Sequence, residues 1–94
     1  MTTPASPDVE IRDLPSLGPK SQEMLARAGI TTLAQLRALG SAAAYVQTKR
    51  VNGNASLNLL WALESALTGE RWQEVARRHR TSLLLAVDDL ERSA

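Results

Sequence analysis

The sequence offers few side chains for catalytic chemistry. It has no cysteine and a single histidine, His79, which excludes a disulfide framework, thiol nucleophiles and zinc sites built from cysteine. On one helix the carboxylates of Asp88 and Asp89 lie about 13–15 Å from His79, because each residue adds about 1.5 Å along the axis. That separation is too long for a catalytic triad, and we expect His79 to pack at the boundary of the core. We therefore predict that the protein is not an enzyme and takes no cofactor, metal or small-molecule substrate.

The segment that spans residues 14–21, Leu-Pro-Ser-Leu-Gly-Pro-Lys-Ser, has the residue types of a phosphate-binding helix start. Peptide N–H groups in the first turn of a helix have no partner within the helix and carry partial positive charge, so that a phosphate oxygen can accept from them. Gly18 leaves the backbone accessible, Pro19 suits the first helical position, and Lys20 adds a full positive charge. We predict that Gly18, Lys20 and Ser21 contact nucleic acid, provided that their amides face water.

Charge is nearly balanced over the chain, with 11 basic and 10 acidic side chains. Its distribution is uneven, because between Leu14 and Leu63 five basic residues accompany one acidic residue, Glu23. The five are Lys20, Arg27, Arg37, Lys49 and Arg50. They predict either a modest basic face, with Lys49 and Arg50 as further nucleic-acid contacts, or ordinary solvated charges. Tyr45 is the aromatic residue that accompanies these charges, so we do not expect stacking on single-stranded bases.

Helix-forming residues and glycines predict an all-α domain. Leucine and alanine supply 29 of the 94 residues, and all four prolines lie within the first nineteen, so that the rest of the chain contains no proline to interrupt a helix. We predict a disordered tail over residues 1–9 and one compact five-helix domain over residues 10–92. The predicted helices span residues 19–28, 32–39, 41–50, 57–68 and 70–92.

Local signals set the predicted helix boundaries. Pro19 is expected to begin the first helix, and Thr32-Leu-Ala-Gln35 matches the capping-box pattern. Ser41 and Ser56 are predicted to cap the third and fourth helices. The fourth helix carries leucines on a wide apolar arc and is predicted to be the central, most buried helix.

The two tryptophans receive different predictions. Trp72 falls on the apolar stripe of the last helix and is predicted to lie in the core. Trp61 projects from the opposite arc of the fourth helix, so that either another segment covers it or it contacts a partner. Leu84 and Leu85 lie outside the apolar stripe of the last helix. Either they pack on a second surface or the helix bends near Thr81-Ser82. A partner-binding surface of Trp61, Leu84 and Leu85, for a regulatory protein or a second copy, is the alternative to nucleic-acid binding.

The hairpin at residues 14–21 resembles the helix-hairpin-helix family, which grips a nucleic-acid backbone through a Leu-Pro-Gly-hydrophobic-Gly-Pro-Lys segment; Ser16 stands at the first glycine of that pattern. A longer succession of motifs resembles the C-terminal domain of the TfoX/Sxy competence regulators. Those motifs lie at residues 11–21, 28–32, 35–40, 44–45, 56–64 and 69–72. The resemblance implies a helical domain, usually following an N-terminal α/β domain, in proteins that promote transcription of DNA-uptake genes.

The chain has no apolar stretch near the roughly 18 residues that span a bilayer, and its start lacks a signal-peptide pattern. We therefore expect a cytoplasmic protein without a membrane partner. The leading hypothesis is a transcription-associated domain that contacts DNA backbone phosphates weakly through residues 16–21. The alternative is a protein-interaction or self-association module.

Overall fold

A computed structural model describes residues 17–93, and these residues form an all-helical domain. The all-α prediction is confirmed, but the described part of the chain contains six helices where five were predicted. They are α1 (Pro19–Arg27), α2 (Leu33–Leu39), α3 (Ser41–Val51), α4 (Leu57–Thr68), α5 (Trp72–Arg78) and α6 (Arg80–Ser93). The predicted tail over residues 1–9, like Ser16, lies outside the described residues.

The first two helices begin where local chemistry predicts. Pro19 occupies the first position of α1 after an extended Gly18. The capping box of α2 is complete, because the Gln35 amide donates to Thr32 Oγ1 over 3.2 Å and the Thr32 amide donates to Gln35 Oε1 over 3.0 Å. These two reciprocal bonds satisfy donors that a helix start otherwise leaves without a partner. The predicted helix start at Pro19 and the predicted capping box at Thr32 are both confirmed.

A single glycine joins α2 to α3. Gly40 has φ 83° and ψ 160°, a combination that essentially only glycine adopts. The next residue, Ser41, does not cap α3 as predicted. It already belongs to the helix, is buried, and donates its hydroxyl to Glu64 Oε1 on α4 over 2.7 Å. Ser56 precedes α4 as predicted, but its side chain makes no capping hydrogen bond.

The helix at the centre of the domain is α3, and the prediction that the fourth helix is central is wrong. α3 packs against α1, α2, α4 and α6. Its buried side chains include the small Ala44 as well as Tyr45 and Val46, and a small side chain lets a neighbouring helix approach closely. α4 contributes large apolar side chains to the same core, among them Leu60 and Leu63.

The predicted last helix is divided at His79. The backbone of His79 adopts φ −114° and ψ 5°, and α6 begins at the following residue. Val75 before the break and Leu83 and Val87 after it are all buried, so the apolar stripe runs through the interruption and conceals it in the sequence. The alternative of a bend near residues 81–82 places the break two or three residues too late.

No helix within residues 17–93 is both long enough and apolar enough to cross a membrane.

Candidate functional site

A groove of about 390 Å³ opens where the N-terminal ends of α1 and α4 meet the start of α5. Its lining combines exposed polar side chains with buried or half-buried apolar ones. The lining residues are Lys20, Ser21, Met24, Asn54, Ser56, Asn58, Leu59, Ala62 and Trp72. This mixture of an apolar base and polar edges is typical of ligand sites, and the groove contains Lys20 and Ser21 of the predicted hairpin.

The start of α1 is fixed by its own residues. The Gln22 amide donates to the Gly18 carbonyl over 3.0 Å, and the Gln22 side chain donates to the Leu17 carbonyl over 3.0 Å. Leu17 is buried in the core and anchors the loop from inside. No side chain caps this helix, and within residues 17–93 the amides of Lys20 and Ser21 have no partner. They are the kind of donors that an anion can accept from.

A second helix start lines the same groove. Ser56 precedes α4 in an extended conformation without a side-chain capping bond. The connection before it is held by a bond from the Ala55 amide to the Asn52 carbonyl over 3.0 Å. Asn54 and Asn58 are exposed on either side, and each carboxamide can both donate and accept a hydrogen bond.

Asn52 holds α1 in place against α3. Its buried carboxamide donates to the Met24 carbonyl over 2.9 Å and to the Thr48 carbonyl over 3.1 Å. Its oxygen accepts from Arg27 Nη1 over 3.4 Å. Sequence reasoning missed this bracing role, because the pairing depends on how α1 and α3 pack.

Trp72 lies on the groove rather than in the core, which contradicts the prediction. It is the first residue of α5 and is 46% exposed. Val75, one turn later, is fully buried and takes the position facing the core. Because Trp72 belongs to the first helical turn, no earlier turn covers it. Its position near the start of the predicted last helix, at residue 70, was the available signal.

The structure therefore changes the assignment of aromatic residues near the basic charges. Tyr45 is buried beneath the Lys49 ammonium, which lies 5.9 Å from the ring centroid. Trp72 instead supplies an exposed aromatic surface in the groove that Lys20 lines. The expectation against stacking rested on Tyr45 and did not place Trp72 beside Lys20.

The predicted nucleic-acid residues fall into two groups. Lys20 and Ser21 line the groove, and Gly18 precedes them at the start of α1. Lys20 is the charged member among the described lining residues and takes part in no ion pair within residues 17–93. Lys49 and Arg50 instead line a separate depression beside α6. Lys49 Nζ lies 3.7 Å from Glu91 Oε2, so its charge is partly neutralised.

The predicted partner residues do not form one surface. Trp61 is only 5% exposed and packs in the core. Of its two predicted alternatives, the structure therefore shows cover by another segment of the chain. Leu84 is partly buried against the core. Leu85 is 61% exposed on α6, but a single exposed leucine is ordinary for a folded protein.

His79 is a boundary residue, as predicted. Its Nε2 lies 2.9 Å from Glu70 Oε1, and Arg78 Nη1 donates to Glu70 Oε2 over 3.2 Å. Asp88 is engaged elsewhere, with Arg92 Nη2 at 2.8 Å. Across residues 17–93, no cluster of three or more His, Asp or Glu side chains could hold a metal ion.

The fold and the groove define a small all-α domain in which two helix starts line one groove. The family model of the TfoX C-terminal domain matches residues 7–87, and the chain belongs to that family. This confirms the resemblance seen in the sequence motifs.

A curated relative is the "DNA transformation protein TfoX" of Haemophilus influenzae. The two are 32% identical over 82 residues, which cover 87% of this chain and 38% of the relative. The chain thus spans well under half of that protein's length. No solved structure matches the chain.

Proposed function

We propose that the chain is a non-enzymatic regulatory domain associated with DNA transformation and that it contacts DNA backbone phosphates through Gly18, Lys20 and Ser21. Family membership and the name of the Haemophilus relative support the association with transformation. The single observation that carries the DNA contact is Lys20, exposed at the uncapped start of α1 and without an ion-pair partner in the described residues.

The proposed contact uses peptide donors and one cation. A phosphate oxygen at the start of α1 accepts from the amides of Lys20 and Ser21 and is attracted by the Lys20 ammonium. Such contacts position a protein on a duplex without reading its sequence. Because few phosphates are engaged, the affinity is low and falls as salt rises.

The hairpin is the primary contact in this proposal, and Lys49 and Arg50 are secondary. Glu91 lies beside both of them and its carboxylate pairs with Lys49. An exposed cation that already has a carboxylate neighbour attracts a phosphate less strongly than an unpaired one, because the two negative groups compete.

The test is a titration of labelled duplex DNA at about 50 mM and about 200 mM salt, with fluorescence anisotropy as the readout. Lys20→Ala is compared with Arg37→Ala, which removes one exposed positive charge on α2, outside the groove. We expect the affinity for duplex DNA to fall as salt rises and to be several-fold lower in Lys20→Ala than in the wild type. In that variant the slope of the logarithm of the binding constant against the logarithm of the salt concentration should be smaller by about 1. Equal losses in the two variants would contradict the proposed site.

The second candidate is a protein-interaction or self-association module, in which Leu85, the one predicted partner residue that is mostly exposed, makes the contact. It predicts no DNA binding at low salt, together with a concentration-dependent dimer in light scattering. Leu85→Ser then abolishes the dimer. Under the DNA proposal the chain remains monomeric over the same concentration range.

A further inference from the structure

Trp72 and Lys20 line one groove, and this combination goes beyond what a duplex backbone needs. We infer that the groove takes one unpaired nucleotide of single-stranded DNA, with the base stacked on Trp72 and the adjacent phosphate at Lys20 and Ser21. The inference rests on the proposed function in one respect, since both place a phosphate at the start of α1.

The size and lining of the groove suit such a unit. Its volume of about 390 Å³ lies in the range of about 300–1,000 Å³ that holds small organic ligands. Met24, Leu59 and Ala62 form an apolar base, on which the face of a heterocycle loses little hydration. Asn54 and Asn58 lie at the edges and offer the donors and acceptors that a base edge requires.

The aromatic residue points to an unpaired base. Trp72 is nearly half exposed although it is the largest side chain in the groove, so its indole has free surface for a planar partner. Every base has a π face, which makes stacking tolerant of sequence. In a duplex the bases are stacked on one another, so a duplex can meet Lys20 but leaves Trp72 without a base.

The charge of the groove selects an anionic occupant. Lys20 is positive, and the other described lining residues are neutral. Each nucleotide carries one base and one phosphate at a fixed spacing, which matches one exposed indole and one cationic helix start on a single groove. A flexible single strand can orient both groups at once, which increases affinity over either contact alone.

The two tryptophans allow a direct optical test. Trp61→Phe leaves Trp72 as the only tryptophan, and its fluorescence is followed while oligo(dT) of about ten nucleotides is added. We expect saturable quenching by the single strand and none by a duplex of the same length. If Trp61→Phe disturbs the core, the wild-type signal minus that of Trp72→Phe provides the same readout.

Variants then assign the contacts, with anisotropy of labelled oligo(dT) as the measure. Trp72→Ala is expected to weaken binding between about 5-fold and about 100-fold, the usual range for one stacked base. Lys20→Ala is expected to weaken it several-fold. Leu39→Ala, which truncates an exposed apolar side chain on α2 outside the groove, is the matched control and is expected to bind as the wild type does.

The outcomes separate this inference from the proposed function. Lys20-dependent duplex binding without quenching by oligo(dT) overturns the inference and leaves the proposed function intact. Absence of binding to either form overturns both. Quenching that survives Lys20→Ala undiminished also overturns the inference, because the phosphate then lies elsewhere.

Discussion

The side-chain amide of Asn52 donates to the carbonyl oxygen of Met24 over 2.9 Å and so joins the end of α3 to the middle of α1. Lys20 lies one helical turn before Met24 on the same helix. The position of the cation at the groove therefore depends on a buried hydrogen bond made by a residue that does not line the groove.

Asn52→Ala is expected to lower the free energy of unfolding by about 1–3 kcal/mol. The substitution removes the side-chain donor to the Met24 carbonyl, and a partly buried acceptor without a partner incurs its desolvation cost. The Thr48 carbonyl loses a second donor but still accepts from the Asn52 backbone amide over 3.0 Å. Urea unfolding followed by circular dichroism measures the change. Asn54→Ala, in the exposed turn nearby, is the control and should alter stability by less than about 0.5 kcal/mol.

Ser41→Ala is expected to destabilise the domain by about 1.5–3 kcal/mol. The buried hydroxyl donates to Glu64 Oε1 over 2.7 Å, and bonds to a charged acceptor contribute more than neutral ones. Thermal unfolding compares this variant with Ser82→Ala, which removes an exposed hydroxyl on α6. Similar melting temperatures for the two variants would count against a structural role for the Ser41–Glu64 bond.

Gly40→Ala is expected to lower the free energy of unfolding by about 1–3 kcal/mol. A Cβ at this position would meet open space, so the cost comes from φ +83°, which an L side chain rarely adopts. Gly53→Ala is the control, because its φ is not positive and a Cβ there also meets nothing within 4 Å. Chemical denaturation of both variants should show a clear loss only for Gly40→Ala.

Leu60→Ala is expected to destabilise the domain by about 2–5 kcal/mol, whereas Leu85→Ala changes stability by less than about 0.5 kcal/mol. Leu60 is fully buried and Leu85 is 61% exposed, so only the first substitution leaves a cavity. Urea midpoints measure the difference. If Leu85→Ala lost much stability only at high protein concentration, that result would instead reveal an interface between copies of the chain.

In the unbound protein, Trp72 should be far more accessible to acrylamide than Trp61. The exposed fractions are 46% and 5%, and collisional quenching requires contact with the indole. The Trp61→Phe variant, which reports Trp72, should therefore show a steeper quenching plot than Trp72→Phe, which reports Trp61. Equal slopes would place both side chains in similar surroundings and remove the aromatic surface from the groove.

The sequence predicted the boundaries that depend on neighbouring residues. Pro19 begins α1, and Thr32 with Gln35 begins α2, because capping and proline geometry act within one helical turn. Gly40 and Gly69 end helices with positive φ for the same local reason. Predictions of this kind need no knowledge of the packed fold.

Features that depend on packing were not predicted. The break at His79 keeps the apolar stripe in phase, so periodicity across residues 72–90 does not reveal it. His79 and Arg78 both engage Glu70, which lies in the connection between α4 and α5, and these contacts accompany the break. Trp72 fits the apolar periodicity of the predicted last helix and still lies at the surface. Its exposure depends on where α5 begins relative to α4.

The groove joins segments that are distant in the sequence. Residues 20–24, 54–62 and 72 meet there only after α1 and α4 have packed on α3 and α5 has packed on α4. The hairpin pattern identified Lys20 and Ser21 but not Asn54, Asn58 and Trp72, which carry no phosphate-binding pattern of their own.

The central helix contributes no residue to the groove. α3 packs against four other helices, whereas the lining residues within 17–93 belong to α1, α4, α5 or the connection before α4. The base of the groove is shared with the core through Leu59, whereas the side chains at positions 20, 54, 58 and 72 are exposed. Substitutions at these four positions are therefore expected to change what the proposed site binds while the helical scaffold keeps its stability.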